Sequence, residues 1–136
     1  MKYFLDSSAL FAHLFDEPGA DEVHALFHNS EAEIGLSVLT APELYAALTV
    51  RERGERFEEI WGDYRRLVDS ISGVDEAISL KAIELRRTAD LRLPNGDALI
   101  AATAALAQAI LVHRDPHFSG IPSDLLRQYQ LPDKTG

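Results

Sequence analysis

Two short apolar runs, each followed closely by an aspartate, place the strongest constraint on the fold of this chain. Tyr3, Phe4 and Leu5 lead directly into Asp6, and the apolar run over residues 109–112 is followed within three residues by Asp115. Short apolar runs without polar alternation are typical of strands buried on both faces, as in parallel sheets. Because parallel strands need long crossover connections, usually helices, the sequence predicts an α/β fold with a mostly parallel sheet.

Helical patterns fill much of the chain after the first strand. A helix through Leu10 and Leu14 is predicted to be capped by Ser7 or Ser8, and a second helix covers residues 20–29. Residues 34–37 then form another short strand. Thr40, as a capping hydroxyl, and Glu43, three residues later, predict the start of the next helix.

Apolar residues spaced three and four positions apart also predict a helix over residues 56–71, which forms an αα-hairpin with the helix before it. Residues 72–74 are a candidate strand, and Asp75 caps the helix that follows. The turn over residues 93–96 precedes Asp97 and an alanine-rich helix that runs to about Gln108. The tail from 121 to 131 contains one more helix or an edge strand, and the pattern does not distinguish them.

The composition is that of one globular domain. The 136 residues are 46% hydrophobic, which is enough for a single core, so we expect one domain over residues 1–136. The chain has no cysteine, which excludes disulfides and thiolate zinc sites. Its N-terminal apolar run is too short for a signal peptide or a membrane span, so we expect a soluble, cytoplasmic protein.

The formal net charge of −9 is unfavourable for binding nucleic acid, because phosphates repel carboxylates. The bases are concentrated, however, and nine of the thirteen Lys and Arg residues fall within residues 51–92. Most of these side chains are expected on solvated helix faces. A few arginines can still line a groove for a polyanion.

Four acids lie at predicted strand ends or helix starts: Asp6, Glu43, Asp97 and Asp115. Taken singly, each is explained as a helix cap or a turn residue. In open α/β sheets, however, ligands bind at the carboxyl ends of the strands, where such acids can converge. Charges about 4 Å apart repel by roughly 4 kcal/mol at an effective dielectric of 20, so a converged cluster calls for a cation. Oxygen-only ligands select hard ions such as Mg²⁺, which suits phosphoryl transfer.

The order of these motifs resembles that of the PIN-domain nucleases, and specifically the VapC-type toxins of toxin–antitoxin pairs. Asp6 followed by Ser7 and Ser8 matches the first motif of that family, Glu43 the second acid, and Asp97 and Asp115 the third and fourth. The resemblance covers almost the entire chain. It implies a three-layer α/β/α sandwich and a Mg²⁺-dependent endoribonuclease in which Mn²⁺ can substitute. It also implies a VapB-type antitoxin as partner, RNA as substrate and a homodimer.

The resemblance further implies a division of roles. Asp6, Asp97 and Asp115 are expected to hold the main ion, directly or through water. Glu43 is expected to bind a second ion or to orient the attacking water, and Ser8 to support the ligands from behind. The chain departs from the family at His113, where Thr or Ser is common, which affects the hydrogen bonds behind the site.

Several alternatives stay open at this stage. His24 and His28 are spaced to chelate a transition metal on a helix, as are His113 and His117, but neither pair has the glutamate of the His-Glu-x-x-His motif. The chain has no nucleophile elbow for a serine hydrolase, and position 8 lacks the second aspartate of haloacid-dehalogenase-like phosphatases. A housekeeping RNA-processing nuclease without an antitoxin and a mainly protein-binding module are the remaining readings.

Overall fold

The computed structural model describes residues 1–89 and 92–133, and five parallel strands form its central sheet. In chain order the strands are β1 (Lys2–Leu5), β2 (Glu33–Ser37), β3 (Ser70–Ser72), β4 (Ile110–His113) and β5 (Gln128–Gln130). The helices are α1 (Ser7–Leu14), α2 (Ala20–Phe27), α3 (Thr40–Val50), α4 (Phe57–Leu67), α5 (Glu76–Thr88) and α6 (Asn95–Leu106). Two 3₁₀ turns, Gly54–Arg56 and Pro116–Gly120, complete the described elements.

The strands lie in the order β3-β2-β1-β4-β5, and every pairing is parallel. The apolar strand β1 is therefore central, with Tyr3 opposite Ile34 of β2 on one side and opposite Ile110 of β4 on the other. The mostly parallel α/β sheet expected from the two apolar runs is confirmed. Strands β1 and β4 are distant in sequence but adjacent in the sheet, so their carboxyl ends lie side by side.

Each face of the sheet carries its own hydrophobic core. One core includes Phe4 and Leu111 and packs against α5 and α6, whereas the other includes Leu5 and Val112 and packs against α1, α2, α3 and α4. Successive residues of β1 and β4 thus point to opposite cores, as strand geometry requires. The three-layer α/β/α arrangement is confirmed.

Two predicted helix caps are wrong. Asp6, and not Ser7 or Ser8, is the N-cap of α1, because its side chain accepts a hydrogen bond from the Ser8 backbone N–H. The N-cap of α3 is Leu39, without a side-chain bond, and the Thr40 hydroxyl is buried with no hydrogen-bond partner within residues 1–89 and 92–133. The capping-box pattern at Thr40 and Glu43 therefore does not form, and the Glu43 carboxylate is free for contacts across the fold.

The helix predicted over residues 56–71 ends earlier than expected. Helix α4 stops at Leu67 because Val68 adopts an extended backbone, and Asp69 pairs with the edge of β2 through Ile34. The sequence spacing of Val68 and Ile71 continues the helical pattern. In the structure Val68 lies before β3 and Ile71 lies within it, and both pack against the core. Strand β3 accordingly lies at Ser70–Ser72, earlier than the predicted 72–74. In the tail, for which the sequence allows a helix or an edge strand, the structure has the edge strand β5.

Within the described parts of the chain, no helix combines the length and apolarity needed to cross a bilayer.

Candidate metal centre

The carboxyl ends of β1, β2 and β4 lie at one edge of the sheet, and the chain leaves each of them toward an acidic residue. Asp6 directly follows β1, and Asp115 lies two residues after β4. Glu43 lies in the first turn of α3, shortly after β2, and Asp97 in the first turn of α6. The topology therefore directs all four predicted acids to the edge of the sheet where open α/β folds bind ligands.

The Asp6 carboxylate is buried and held by Ser8. Its Oδ2 accepts hydrogen bonds from the Ser8 backbone N–H at 3.1 Å and from the Ser8 hydroxyl at 2.5 Å. The Ser8 Oγ in turn accepts the backbone N–H of Arg114 at 3.1 Å. Ser8 thus joins the end of β1 to the segment that carries Asp115, as the support role predicted for it requires.

Glu43 is brought to the same edge by Ser7. The Ser7 hydroxyl donates to Glu43 Oε2 at 2.9 Å, which ties the first turn of α3 to the first turn of α1. Burial raises the pKa of the Glu43 carboxyl, the hydrogen bond from Ser7 lowers it, and the charge of Asp6 raises it. Glu43 therefore lies within the electrostatic field of Asp6.

Asp97 and Asp115 meet at an imidazole ring. Nδ1 of His117 lies 3.0 Å from Asp97 Oδ2 and 3.0 Å from Asp115 Oδ1. One ligand atom from each of these three residues falls within 4.8 Å of the other two. The structure therefore brings Asp97 and Asp115 into one group with His117, while Asp6 and Glu43 are tied to it through Ser8, Ser7 and their charges.

The electrostatics of the cluster are those of crowded carboxylates. The pKa of Asp97 is raised to about 6 by burial first and then by the charges of Asp115 and Asp6, although His117 opposes the shift. Burial also raises the pKa of Asp6, against the hydrogen bonds from Ser8, and Asp115 adds to the rise. Ionised acids are thus unfavourable here without a compensating cation.

The crowding predicts that Asp97→Asn stabilises the metal-free protein at pH 7.5, on the order of 1 kcal/mol after allowance for partial exposure. The pKa of this carboxyl is about 6 in the fold and 3.8 as its reference. The folded form therefore takes up the proton first as the pH falls, and the destabilisation of the wild type declines progressively as the pH falls from about 6 toward 3.8. The difference between variant and wild type in urea unfolding should shrink toward pH 5.

Asp124→Asn serves as the control for that measurement, because Asp124 is exposed and lies outside the cluster. Its stability difference from the wild type should be small at both pH values. A stability difference for Asp97→Asn that stays constant from pH 7.5 to pH 5 would contradict charge repulsion as its origin.

His113 lies behind the site and faces the core. It is fully buried, its Nδ1 accepts the Asp115 backbone N–H at 3.1 Å, and its Nε2 donates to Gln128 Oε1 at 2.9 Å. The Gln128 amide group donates onward to the carbonyl of Phe118 at 2.9 Å. Burial lowers the pKa of His113, so the ring is neutral and the Nε2 tautomer follows from its partners. Its contact is with the backbone of Asp115, and the network fixes the turn that carries that acid.

Arg114, the residue between His113 and Asp115, points to the opposite side. Its buried guanidinium pairs with Glu17, just beyond the end of α1. The segment after β4 is therefore fixed on three sides, by His113, by Arg114 and by the Ser8 hydroxyl. Sequence reasoning missed the Arg114–Glu17 pair, and nothing in the spacing of the two residues indicates it.

Sequence reasoning also underestimated His117. The sequence indicates His117 only as one half of a possible chelating pair with His113, yet its ring contacts two of the four acids. Its position two residues after Asp115 was the available signal, because a turn after a strand brings such a residue back toward the strand end. The Ser7 contact with Glu43 had no signal in the sequence, since it joins separate helices.

Several solved structures share the fold of this chain at low sequence identity. The chain is similar to VapBC2 from Rickettsia felis bound to a promoter DNA fragment, with a TM-score of 0.76, 21% identity and coverage of 97% of this chain and 100% of that one. It is similar to VapBC-1 from nontypeable Haemophilus influenzae, with a TM-score of 0.72, 20% identity and full coverage of both chains (100% and 100%). A toxin–antitoxin complex from Klebsiella pneumoniae matches with a TM-score of 0.65, 23% identity and coverage of 88% and 92%. These likenesses show the fold.

No curated protein sequence matches the chain significantly. The family model of the PIN domain, however, matches residues 3–123, which run from β1 to beyond the Asp115 turn and take in all four acids. The match covers most of the chain, and the fold agrees with it. The chain is a member of the PIN domain family.

Proposed function

We propose that this protein is a divalent-metal-dependent endoribonuclease that uses Mg²⁺, with Mn²⁺ as a substitute, and acts as the toxin of a toxin–antitoxin pair. One observation carries the proposal: Asp97 and Asp115 converge at the edge of the sheet where Asp6 and Glu43 also lie. Membership of the PIN domain family supports a nuclease. The similar solved structures, two of them VapBC complexes and one a toxin–antitoxin complex, support the toxin role.

The donor set fits a hard divalent ion. Asp6, Asp97 and Asp115 offer carboxylate oxygens. Burial first, and then the charge of Asp115, raises the pKa values of Asp6 and Asp97, so a positive charge beside these two acids is favourable. We assign these three acids to the main ion. A bound ion of this kind acts as a Lewis acid and lowers the pKa of a coordinated water.

Glu43 has a different role in the proposed reaction. The bond from Ser7 fixes one of its oxygens, and burial raises the pKa of the carboxyl. A carboxylate with a raised pKa is a better proton acceptor, so Glu43 is suited to orient the attacking water and take its proton. The water attacks the phosphorus, the bond to the leaving oxygen breaks, and the RNA strand is cut.

An arginine near the start of α6 offers a contact for the RNA backbone. The exposed Arg86 donates to the side chain of Asn95, the first residue of α6 and two residues before Asp97. Its guanidinium is thus held near the start of the helix that carries a metal-binding acid. A phosphate next to the cleaved bond can pair with it, which offsets the net negative charge of the chain.

Purified protein tests the nuclease directly. We expect it to cleave single-stranded RNA when Mg²⁺ or Mn²⁺ is present, to lose activity in a chelator and to regain it when the ion is restored. A DNA oligonucleotide of the same sequence should be cut far more slowly. RNA left intact with both ions would refute the nuclease.

The toxin role has its own test. Expression of the chain in a bacterial host should arrest growth, and co-expression of the adjacent open reading frame should restore it by supplying the antitoxin. Growth that continues despite confirmed RNA cleavage would instead favour a housekeeping RNA-processing nuclease.

We also propose a homodimer. Leu80 and Ile83 lie one turn apart on α5 with about half of each side chain exposed, at 59% and 46%, and Leu106 of α6 is 49% exposed. Exposed apolar residues of this size are commonly covered at an interface. Light scattering should give twice the monomer mass, and Ile83→Glu should lower it to the monomer mass. A monomer in the wild type contradicts the proposal.

Ser8→Ala should weaken metal binding without removing it. The variant loses the hydrogen bond to Asp6 Oδ2 and the acceptor for the Arg114 backbone N–H, so the ligands lose their alignment. Such supporting contacts are worth about 10–100-fold in metal affinity. Calorimetric titration with Mn²⁺ measures the loss, with Ser30→Ala, at an exposed position between α2 and β2, as control. Equal affinities for the wild type and Ser8→Ala would show that the Ser8 hydroxyl does not support the site.

A further inference from the structure

The imidazole of His117 occupies a symmetric position between two proposed metal ligands. Its Nδ1 is 3.0 Å from Asp97 Oδ2 and 3.0 Å from Asp115 Oδ1. In an octahedral complex with bonds of about 2.1 Å, neighbouring ligand atoms are about 3.0 Å apart, because the edge is √2 times the bond length. Tetrahedral ligands at a similar bond length are about 3.4 Å apart. The two distances are those of hydrogen bonds from Nδ1–H to the carboxylates, and they also equal two edges of an octahedral site, so an ion can replace the proton on Nδ1.

The backbone presents His117 to the acids. The 3₁₀ turn Pro116–Gly120 begins directly after Asp115, and the His117 backbone N–H donates to Asp115 Oδ1 at 2.9 Å. The next residue, Phe118, is fully buried and anchors the turn in the core. The ring is thus held at the site, yet its side chain is 49% exposed, so a hydrated ion can reach Nδ1.

Other histidines do not compete for this position. Both ring nitrogens of His113 are engaged, one by the Asp115 backbone and the other by Gln128. His13 and His24 contact each other at 3.4 Å between α1 and α2, and the His28 ring packs against that of His24 at a tilted angle. His117 is therefore the histidine whose nitrogen is directed at Asp97 and Asp115 within the described chain.

We propose that His117 is a direct ligand of the ion held by Asp97 and Asp115, which makes the centre favour Mn²⁺ over Mg²⁺. The inference rests on the proposed function, since it concerns the same ion. A mixed oxygen and nitrogen set strengthens the binding of first-row transition ions relative to Mg²⁺, which strongly prefers oxygen.

Nitrogen ligation has a direct spectroscopic readout. Pulsed electron paramagnetic resonance of the Mn²⁺-loaded protein should show ¹⁴N coupling from one imidazole in the wild type, and no such coupling in His117→Asn. His28→Asn, which removes an exposed histidine outside the centre, is the matched control and should keep the coupling. In calorimetric titrations His117→Asn should lose about tenfold in Mn²⁺ affinity, whereas Mg²⁺ affinity should change much less.

The outcomes separate this inference from the proposed function. Suppose that the wild type binds Mn²⁺ tightly, that Asp97→Asn does not, and that the wild type shows no ¹⁴N coupling. His117 is then not a ligand, and the proposed metal-dependent nuclease is unaffected. Coupling that persists in His117→Asn overturns His117 as a ligand equally. Failure of both Mn²⁺ and Mg²⁺ to bind the wild type overturns the metal centre, and the proposed function with it.

Discussion

Asp97→Asn should lower metal-dependent RNA cleavage about a thousandfold, which corresponds to about 4 kcal/mol of transition-state stabilisation. The substitution keeps the size of the side chain and its position in the first turn of α6, but removes a negative charge from the group around His117. Single-turnover cleavage of a labelled RNA, at saturating Mn²⁺, measures the loss. Asp6→Asn should act similarly, because its carboxylate lies in the same field.

The expected stability change makes this experiment selective. Asp97→Asn should be slightly more stable than the wild type without metal at neutral pH, so a loss of activity cannot be attributed to unfolding. Mn²⁺ should raise the melting temperature of the wild type and have little effect on the variant. Asp124→Asn, an exposed acid elsewhere, should retain full activity. Unchanged cleavage by Asp97→Asn would remove the main support for the assigned site.

Phe118→Ala should cost about 3–5 kcal/mol of folding free energy, a large part of the roughly 5–15 kcal/mol typical of a domain. Phe118 is fully buried, and its ring lies 4.7 Å from that of His113, between centroids. Truncation opens a cavity that the surrounding core cannot fill. Urea unfolding followed by circular dichroism measures the loss.

Two variants calibrate that result. Phe118→Leu keeps most of the volume and should cost clearly less, and Tyr129→Ala removes an aromatic ring that is 49% exposed and should cost least. Because Phe118 anchors the turn that carries His117, Phe118→Ala should also weaken Mn²⁺ binding. Equal stabilities for Phe118→Ala and Tyr129→Ala would show that the turn does not depend on its anchor.

The layer structure was predictable from sequence because it depends on strong, local signals. The short apolar runs before Asp6 and Asp115 are typical of buried strands. Asp75 caps α5 as expected, because its side chain accepts a hydrogen bond from the Ile78 backbone N–H. The prediction was wrong at the end of α4. The spacing of Val68 and Ile71 continues the helical pattern, but Val68 ends the helix and Ile71 lies in β3, whose pairing with β2 the local pattern does not show.

The predicted acids could be identified from sequence because each lies next to a strand end or a helix start. Their partners could not, since these depend on contacts between distant segments. The Ser7 hydroxyl reaches Glu43 across 36 residues, and the Ser8 hydroxyl meets the Arg114 backbone across 106. Such contacts follow from the strand order, and the capping pattern at Thr40 even pointed to the wrong partner for Glu43.

The pairing of β1 with β4 also determines when, during translation, the metal centre can form. Tyr3 pairs with Ile110, and the Asp6 backbone N–H donates to Val112. At a translation rate of about 5–20 residues per second, the ribosome adds Asp115 on the order of 5–20 s after Asp6. A nascent chain therefore carries Asp6 and Glu43 without the strand that aligns them. Any chain terminated before β4 lacks two of the five strands and the turn that carries Asp115 and His117, so it cannot assemble the centre.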